Sequence, residues 1–340
     1  MNRLHGGDVV RLWSIVGLYI GGIIGAGFAS GQELVVFFTN YGVAGMVGIV
    51  VAILLLSLGT MLVLDFCARH SVSSYATLLG KLDPKRTHIL DVLYSVFLLI
   101  GNSVMFAGIG AIGDTPWSSF HLRVITGLLV LLVLRRGVEG VARASAWLAP
   151  VLVFILCALS IDRLRNLGIR IPTHGSWQAM EAATLYSSYN LGFSMTVLAS
   201  IQTSLKSQRK RLAFVIIANI ILGISMVLLF FALGTLTPEE LSSPFPLGHL
   251  FNSRGVLAIG FYRLMLWGAM YSTAMAHSLA LVSRTTEMQR FSWTKSSVLV
   301  VLLSLALSYA GFATLIRVAY PILGLAGLWI LANLVRERMA

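Results

Sequence analysis

Residues 21–33 read GGIIGAGFASGQE and lie inside the first long apolar run of the chain, residues 9–38. Five of these positions are glycine, and each glycine lowers the stability of a helix by up to about 1 kcal/mol relative to alanine. The stretch therefore predicts a helix that is interrupted near its middle. Main-chain N–H and C=O groups at such an interruption need partners from outside the helix.

The composition around this stretch is that of an integral membrane protein. Of the 340 residues, 57% are hydrophobic and 11% are charged, whereas soluble domains carry about 25% charged residues. A bilayer accepts apolar helices of roughly 20 residues, and unwound backbone survives there only where protein, water or a ligand satisfies it. We therefore expect an all-α membrane protein whose first helix opens at a binding site.

Ten apolar segments are long enough to be membrane spans, and residues 1–340 form one transmembrane domain in this interpretation. A single helix across the last two segments would be about 60 Å long, twice the thickness of the hydrocarbon core. A hairpin near residues 311–317 is predicted there instead. The predicted spans are 9–38, 43–66, 88–112, 117–134, 144–161, 177–204, 212–236, 256–282, 296–313 and 315–335.

The basic residues support this count. If the N-terminus is inside, most of the 25 Lys and Arg residues lie in connections on that same side, which favours ten crossings with both termini in the cytoplasm. Arg163, Arg165 and Arg170 are the main exception. The net charge of +12 does not indicate nucleic-acid binding, because the basic residues alternate with apolar runs instead of covering one face.

The spans divide into two halves of five, residues 9–161 and residues 177–335. The first span of the second half contains the polar stretch YSSYNLGFS at residues 186–194, so the first span of each half is interrupted. Interrupted helices at corresponding positions of an inverted repeat are the sequence pattern of a transporter binding site. Helices 1 and 6 are therefore both predicted to be discontinuous.

Two other interpretations of the first span remain open. Gly17, Gly21 and Gly25 form a small-xxx-small ridge that is typical of close helix packing. Ser30 and Glu33 have the spacing of a capping box, which would make Glu33 a helix cap instead of a ligand. The same spacing favours a real break, because a helix that restarts near Gly31 needs a cap.

Residues 22–33, GIIGAGFASGQE, resemble the YkvI family of bacterial membrane proteins. More distantly, IGAG at residues 24–27 resembles the first-helix motif of the amino acid–polyamine–organocation transporter superfamily. The resemblance implies a LeuT-like fold with a 5+5 inverted repeat, in which helices 1 and 6 unwind at the substrate site. It also implies the bacterial cytoplasmic (inner) membrane as the location.

The resemblance further implies two sets of site residues. The substrate site would be formed by Ile24, Gly25, Ala26, Gly27, Ser30, Gln32, Glu33, Asn102, Tyr189, Asn190 and Gly192. A sodium site would be formed by Gly21, Ile24, Ala269, Ser272 and Thr273. Hydroxyls in a helix also bond to the carbonyl one turn earlier, and this alternative stays open for Ser272 and Thr273. Span 5 has no lysine, which favours sodium over the helix-5 lysine that replaces it in some relatives.

Other ionisable residues lie within the predicted spans, where such groups are costly. Asp91, Glu181 and Arg317 are near span ends, and snorkelling or capping is expected for them. Arg263 and His277 are expected to lie deeper. His277 is either a proton relay or a packed neutral histidine.

Together these features predict a secondary transporter of a small zwitterionic or amine-bearing solute that works by alternating access. Sodium is the first expectation for the coupling ion and the proton the second, with no organic cofactor. The partners are the solute and membrane lipids, and the oligomeric state is not predicted. The alternative is a ligand-sensing receptor or complex subunit that binds without transport. An enzyme is not expected, because the chain contains no HExxH, GxSxG or Walker-type motif.

Overall fold

The glycines of residues 21–31 divide the first apolar run into three helices. The computed structural model describes residues 6–72, 74–135, 138–169, 175–287 and 291–339. In it, α1 spans Gly6–Ile23, α2 spans Ala26–Ser30 and α3 spans Gln32–Phe37. Gly25 is extended between the first two helices, and Gly31 has φ +89° between the second and the third.

Eleven further α-helices follow in the described part of the chain. They are α4 Val43–Arg69, α5 Tyr75–Leu82, α6 Thr87–Ala111, α7 Pro116–Leu134, α8 Val138–Leu167, α9 Gln178–Ile201, α10 Gln208–Leu233, α11 Pro238–Ser242, α12 Val256–Glu287, α13 Trp293–Ser308 and α14 Phe312–Met339. Short 3-10 helices at Thr39–Tyr41, Gln202–Ser204 and Pro246–Arg254 lie in the connections.

Five helices of the described residues are long and apolar enough to cross a membrane: α4, α6, α7, α10 and α14. Helix α13 is apolar but shorter. Each of the ten predicted spans overlaps a helix of the structure, while the number of crossings stays a prediction. The last two segments are separate helices, as predicted, because α13 ends at Ser308 and α14 begins at Phe312, directly after Gly311 with φ +91°.

Helix α9 lies at the centre of the packing. It contacts α4 on one side and α14 on another, and α1 also packs against it. Three more contacts join helices that hold the same position in the two predicted halves: α4 with α10, α6 with α12, and α7 with α13. A two-fold relation between residues 9–161 and residues 177–335 would produce these pairs, and the repeat itself stays a prediction.

The predicted interruption of the sixth span is wrong for this structure. Residues 186–194 are helical throughout, inside the continuous helix α9. The polar side chains that suggested a break instead bond to carbonyls of their own helix: Ser187 donates to Ala183 O at 2.9 Å and Asn190 donates to Tyr186 O at 3.0 Å. Polar groups satisfied in this way do not require the helix to open.

Two of the ionisable residues lie differently from the prediction. Asp91 is 3% exposed, and its Oδ1 accepts from Arg284 Nε at 2.6 Å, which joins α6 to α12. Arg263 is not deep: its side chain is 43% exposed and forms two bonds of 2.8 Å with Asp114, at the connection between α6 and α7. Glu181 lies in the first turn of α9 and is exposed.

Candidate functional site

The break between α1 and α2 changes the main-chain hydrogen bonding at two carbonyls. Ile24 N–H still donates to Ile20 O at 2.7 Å, but Gly25 N–H donates to Ile23 O at 2.9 Å instead of to Gly21 O. Within the described residues, neither Gly21 O nor Ile24 O receives the amide four residues later. Two carbonyl oxygens are therefore available to a cation where the first helix opens.

The predicted sodium residues of α12 lie beside this break. The Thr273 methyl group is 4.0 Å from the point where a Cβ on Gly25 would stand. Ser272 Oγ and Thr273 Oγ1 donate to Ala269 O at 2.9 and 3.1 Å, so the hydroxyls bond within their own helix. Each hydroxyl oxygen keeps lone pairs that can coordinate a cation. Thr273 of α12 therefore lies beside the break, and the use of these residues as ion ligands stays a prediction.

The capping box predicted for Ser30 and Glu33 is not formed. Gly31 precedes α3 without a side-chain cap. Ser30 Oγ instead donates to Gly27 O at 2.9 Å and accepts from Gln32 N–H at 3.2 Å. The reason is the left-handed conformation of Gly31, which turns the chain between the two residues and leaves the Glu33 carboxylate free for another role.

Glu33 is a buried carboxylic side chain beside the break. It is 2% exposed, and its carboxylate folds back over Gly27, so that a methyl group added at Gly27 would overlap it. Its Oε2 atom has no hydrogen-bond partner in the described residues. The Tyr189 hydroxyl lies close to this carboxylate but does not complete a well-shaped hydrogen bond with it.

Aromatic rings surround this carboxylate. Phe37, one turn after Glu33 on α3, lies 5.7 Å from Tyr186 and 5.4 Å from Tyr189 between ring centroids. Tyr189 in turn lies 4.7 Å from Tyr320 of α14. We call Phe37, Tyr186, Tyr189 and Tyr320 the aromatic cluster. The hydroxyls of Tyr186 and Tyr189 are buried without a partner in the described part of the chain.

Asn102 and Gln32 contribute their amide groups to the packing of the helices. Asn102 Nδ2 donates to Ser278 Oγ at 3.0 Å and to Ser304 Oγ at 2.8 Å, which joins α6 to α12 and α13. Gln32 Nε2 donates to Ser243 O in the connection after α11. The carbonyl oxygens of both amides are buried and have no partner among the described residues.

The remaining predicted substrate residues lie on α2 and α9. Tyr189 belongs to the aromatic cluster. Asn190 bonds within α9, and Gly192 O accepts from Tyr94 at 3.0 Å. Gly192 packs so closely against the Phe97 ring that a Cβ would come within 2.7 Å of it. Ala26 begins α2, and its side chain lies outside the described part of the structure.

His277 lies on the far side of the aromatic cluster. It is 6% exposed and stacks on Phe193 with ring centroids 5.1 Å apart and planes inclined by 24°. Phe193 also contacts Tyr189 and Tyr320. The Nδ1 atom of His277 has no partner among the described residues, so the two interpretations of this histidine both stay open.

The sequence analysis missed three residues of the aromatic cluster: Phe37, Tyr186 and Tyr320. The one signal for Tyr320 is its neighbour Pro321, which lies inside α14. A proline within a membrane helix removes one main-chain hydrogen bond and commonly marks a functional segment. Nothing in the sequence alone relates residues 37, 186 and 320 to one another, because they meet only when α3, α9 and α14 pack together.

Comparison of the sequence with known proteins identifies two similar bacterial proteins. No family model matches the chain. It is homologous to the membrane protein YkvI of Bacillus subtilis (strain 168), with 26% identity over 325 residues that cover 92% of this chain and 91% of YkvI. The protein YyaD of the same organism is 25% identical over 328 residues, which cover 93% of this chain and 94% of YyaD.

Comparison of the structure shows the fold of LeuT-type transporters. MhsT in complex with L-phenylalanine matches with a TM-score of 0.71 at 17% identity, covering 95% of this chain and 88% of MhsT. Mhp1, a nucleobase-cation-symport-1 family transporter with bromovinylhydantoin bound, matches with a TM-score of 0.63 at 13% identity, covering 92% of this chain and 74% of Mhp1. A substrate-bound Na⁺-coupled sialic acid symporter matches with a TM-score of 0.60 at 15% identity, covering 95% of this chain and 77% of the symporter. These neighbours are membrane transporters and not enzymes, in agreement with the sequence analysis.

Proposed function

We propose that the chain is a secondary transporter of a small solute that carries an amine group, either an amino acid or a relative of one. The observation that carries the proposal is the break in the first helix. It leaves the Gly21 and Ile24 carbonyls without main-chain partners in the described residues, next to the buried carboxylate of Glu33. Unsatisfied polar groups of this kind are costly in a membrane unless a guest pairs with them.

Alternating access is the mechanism that we propose around this break. Helices α2 and α3 are short, and they are attached to the rest of the molecule by few polar contacts. Tyr262 of α12 donates to Ala29 O at 3.1 Å, and Gln32 donates to Ser243 O. Such a segment can tilt as a unit about Gly25, the glycine that joins it to α1, because glycine accepts a wide range of backbone angles. The tilt would expose the solute to one side of the membrane at a time.

Sodium is the coupling ion that we propose, with the proton as the second candidate. Gly21 O, Ile24 O, Ala269 O, Ser272 Oγ and Thr273 Oγ1 supply the hard oxygen ligands that an alkali cation needs. One structural neighbour is a Na⁺-coupled sialic acid symporter, which supports the same choice. Buried groups with free acceptor atoms, Glu33 and His277, are the candidates for a proton.

We also propose that the protein lies in the bacterial inner membrane with both termini in the cytoplasm. Salt bridges bring together the ends of α4, α10 and α14 that carry Arg69, Arg211 and Arg338. A concentration of arginine at one end of a helical bundle is typical of its cytoplasmic side. The partners in this proposal are the solute and the surrounding lipids.

The test is uptake by purified protein in liposomes, with radiolabelled amino acids and amines outside and an inward sodium gradient. We expect uptake to depend on the gradient. Ser272→Ala and Thr273→Ala each remove one sodium ligand, and each should raise the sodium concentration for half-maximal uptake on the order of tenfold. Thr285→Ala is the matched control, because it removes the same kind of bond, to Leu281 O at 3.0 Å, further along α12.

Three results would contradict parts of this proposal. Uptake that is indifferent to sodium and to both site variants removes the sodium assignment, and dependence on a proton gradient would then favour proton coupling. An equal effect of Thr285→Ala would mean that the variants act through helix stability. Binding without any gradient-driven uptake would favour a receptor or a subunit of a complex over a transporter.

A further inference from the structure

Glu33 differs from the other buried carboxylate of the described residues. Asp91 is paired with Arg284 at 2.6 Å, which neutralises its charge. Glu33 is equally buried, but no described Lys, Arg or His nitrogen lies within 4 Å of its oxygens, and Oε2 has no partner. A buried carboxylate without a counter-charge is strongly disfavoured, so Glu33 is neutralised either by a proton or by a positive charge that a guest brings.

The aromatic cluster provides the surroundings that an organic cation prefers. Tyr186 and Tyr189 lie 5.4 Å apart at 77°, and Tyr189 and Tyr320 lie 4.7 Å apart at 44°. The rings therefore present faces in different directions around the carboxylate. An ammonium group is attracted to a ring face within about 6 Å. An alkali ion instead needs several oxygen ligands around it. Tyr189 lies beside the Glu33 carboxylate, and Tyr186 and Tyr320 both contact the Tyr189 ring.

The described residues around the cluster offer no equivalent site for a carboxylate of the solute. The buried polar residues of the described part include Glu33 and Asp91 but no lysine and no arginine. Helix α9 is continuous from Gln178 to Ile201, so its N-terminus, the part of a helix that favours anions, is 11 residues before Tyr189. The N-terminus of α2 lies at the break, but α2 has only five residues. The charge balance of the site therefore favours a cation over a zwitterion.

We propose that the solute is a cationic amine whose ammonium group is held by the Glu33 carboxylate and the faces of Tyr186, Tyr189 and Tyr320. This narrows the solute class named above, and it rests on the proposed function in that the same site at the helix-1 break is the transport site. A carboxylate on the solute is not needed for recognition. An amine should therefore bind more tightly than the amino acid from which it differs by that one group.

The experiment compares matched triplets of ligands with the purified full-length protein in detergent. Each triplet shares one side chain and differs in whether it carries the amine, both charged groups or the carboxylate: phenethylamine, phenylalanine and 3-phenylpropionate; isoamylamine, leucine and 4-methylpentanoate; ethylamine, alanine and propionate. Binding is measured by thermal stabilisation and by calorimetry, with and without sodium. We expect the amine of at least one triplet to bind roughly tenfold or more tightly than its amino acid, and the carboxylates not to bind.

Variants of Glu33 and Tyr189 identify the site. Glu33→Gln keeps the shape but removes the charge, and it should weaken amine binding on the order of tenfold or more. Glu181→Gln, which neutralises the exposed carboxylate at the start of α9, is the matched control and should leave binding unchanged. If Glu33→Gln does not fold, Tyr189→Leu and Tyr189→Phe decide instead. Tyr189→Leu, which removes the ring, should bind the amine about three- to fivefold more weakly than Tyr189→Phe, which keeps it.

The outcomes separate this inference from the proposed function. Tighter binding of an amino acid or of a carboxylate than of the matched amine, or the absence of binding by every amine, would overturn the cationic-amine assignment. Amine binding that is unchanged in Glu33→Gln, or in Tyr189→Leu if the first variant does not fold, would overturn the site. Neither result would contradict transport, which the sodium-gradient uptake tests separately. Amine binding with no uptake would support the cation site and contradict the transporter.

Discussion

At the scale of single residues, Gly31 has the conformation on which the position of Glu33 depends. Its φ of +89° costs a residue with a side chain about 1–2 kcal/mol, and a Cβ there would come within 2.8 Å of the Leu247 side chain and 3.3 Å of its main-chain nitrogen. The turn at Gly31 directs Glu33 back over Gly27. Glycine at position 31 is therefore required both by the backbone angle and by the lack of space.

We accordingly expect Gly31→Ala to lower the free energy of unfolding by about 2 kcal/mol and to weaken amine binding, because the carboxylate would be displaced. Thermal and denaturant unfolding in detergent measure the first effect, and calorimetry measures the second. Gly260→Ala is the control, since nothing lies within 4 Å of a Cβ there and alanine is the better helix former. Equal stability of Gly31→Ala and the wild type would contradict the account.

The sequence predicts the break, and it leaves two interpretations of Glu33, a residue of the substrate site or a helix cap. The glycines at residues 21–31 indicate an unstable helix whatever surrounds them. The capping-box spacing of Ser30 and Glu33 indicates a local role for the carboxylate, and that interpretation is wrong because Gly31 is left-handed. The spacing of Ser30 and Glu33 is the same whether a regular helix starts there or Gly31 forms a left-handed turn. The spacing alone therefore cannot reveal the turn.

At the scale of helices, close contact between α9 and α14 is what keeps the aromatic cluster assembled. Ser188 Oγ donates to Gly324 O at 2.7 Å. A Cβ on Gly327 would come within 2.5 Å of the Ser188 carbonyl carbon, so the two backbones approach as closely as glycine permits. This contact brings Tyr320 of α14 against Tyr189 of α9.

Gly327→Ala should therefore separate α14 from α9, because main-chain atoms cannot move aside as a flexible side chain can. We expect a loss of about 1–3 kcal/mol in the free energy of unfolding, together with weaker amine binding as Tyr320 moves away. Gly223→Ala in α10 is the matched control, since its Cβ would make an ordinary contact of 3.4 Å with Ile53 of α4. If both variants unfold alike, close packing at Gly327 is not the cause.

The interruption predicted for the sixth span shows what helix-level pattern reasoning misses. Serine, asparagine and glycine in mid-span suggest unwinding, yet Ser187 and Asn190 bond to their own helix, and Gly192 makes room for Phe97. An unwound span and a continuous helix can have the same sequence pattern, and contacts with the neighbouring helices determine which of the two forms. The five glycines of residues 21–31 lack such side-chain bonds, and there the chain does open.

At the scale of the whole molecule, the arrangement of charged pairs matches a protein with two different membrane faces. One end holds Asp65 with Arg211 and Arg338, and Glu337 with Arg69. Elsewhere Asp114, between α6 and α7, pairs with Arg263, and Asp162, near the end of α8, pairs with Arg254. The apolar segments predict the position of the long helices well, because hydrophobicity alone determines them. The amphipathic helix α5 and the short helix α11 in polar connections carry no such signal.

The central claim is that the break in the first helix holds a solute that the protein carries across the membrane. Counterflow tests it most directly. Liposomes containing the protein are loaded with the unlabelled amine that stabilises it most and diluted into trace labelled amine, with equal sodium on both sides. We predict transient accumulation of label above its equilibrium level, and none with Glu33→Gln. Label that never exceeds equilibrium, although the wild-type protein binds the amine, would contradict the claim.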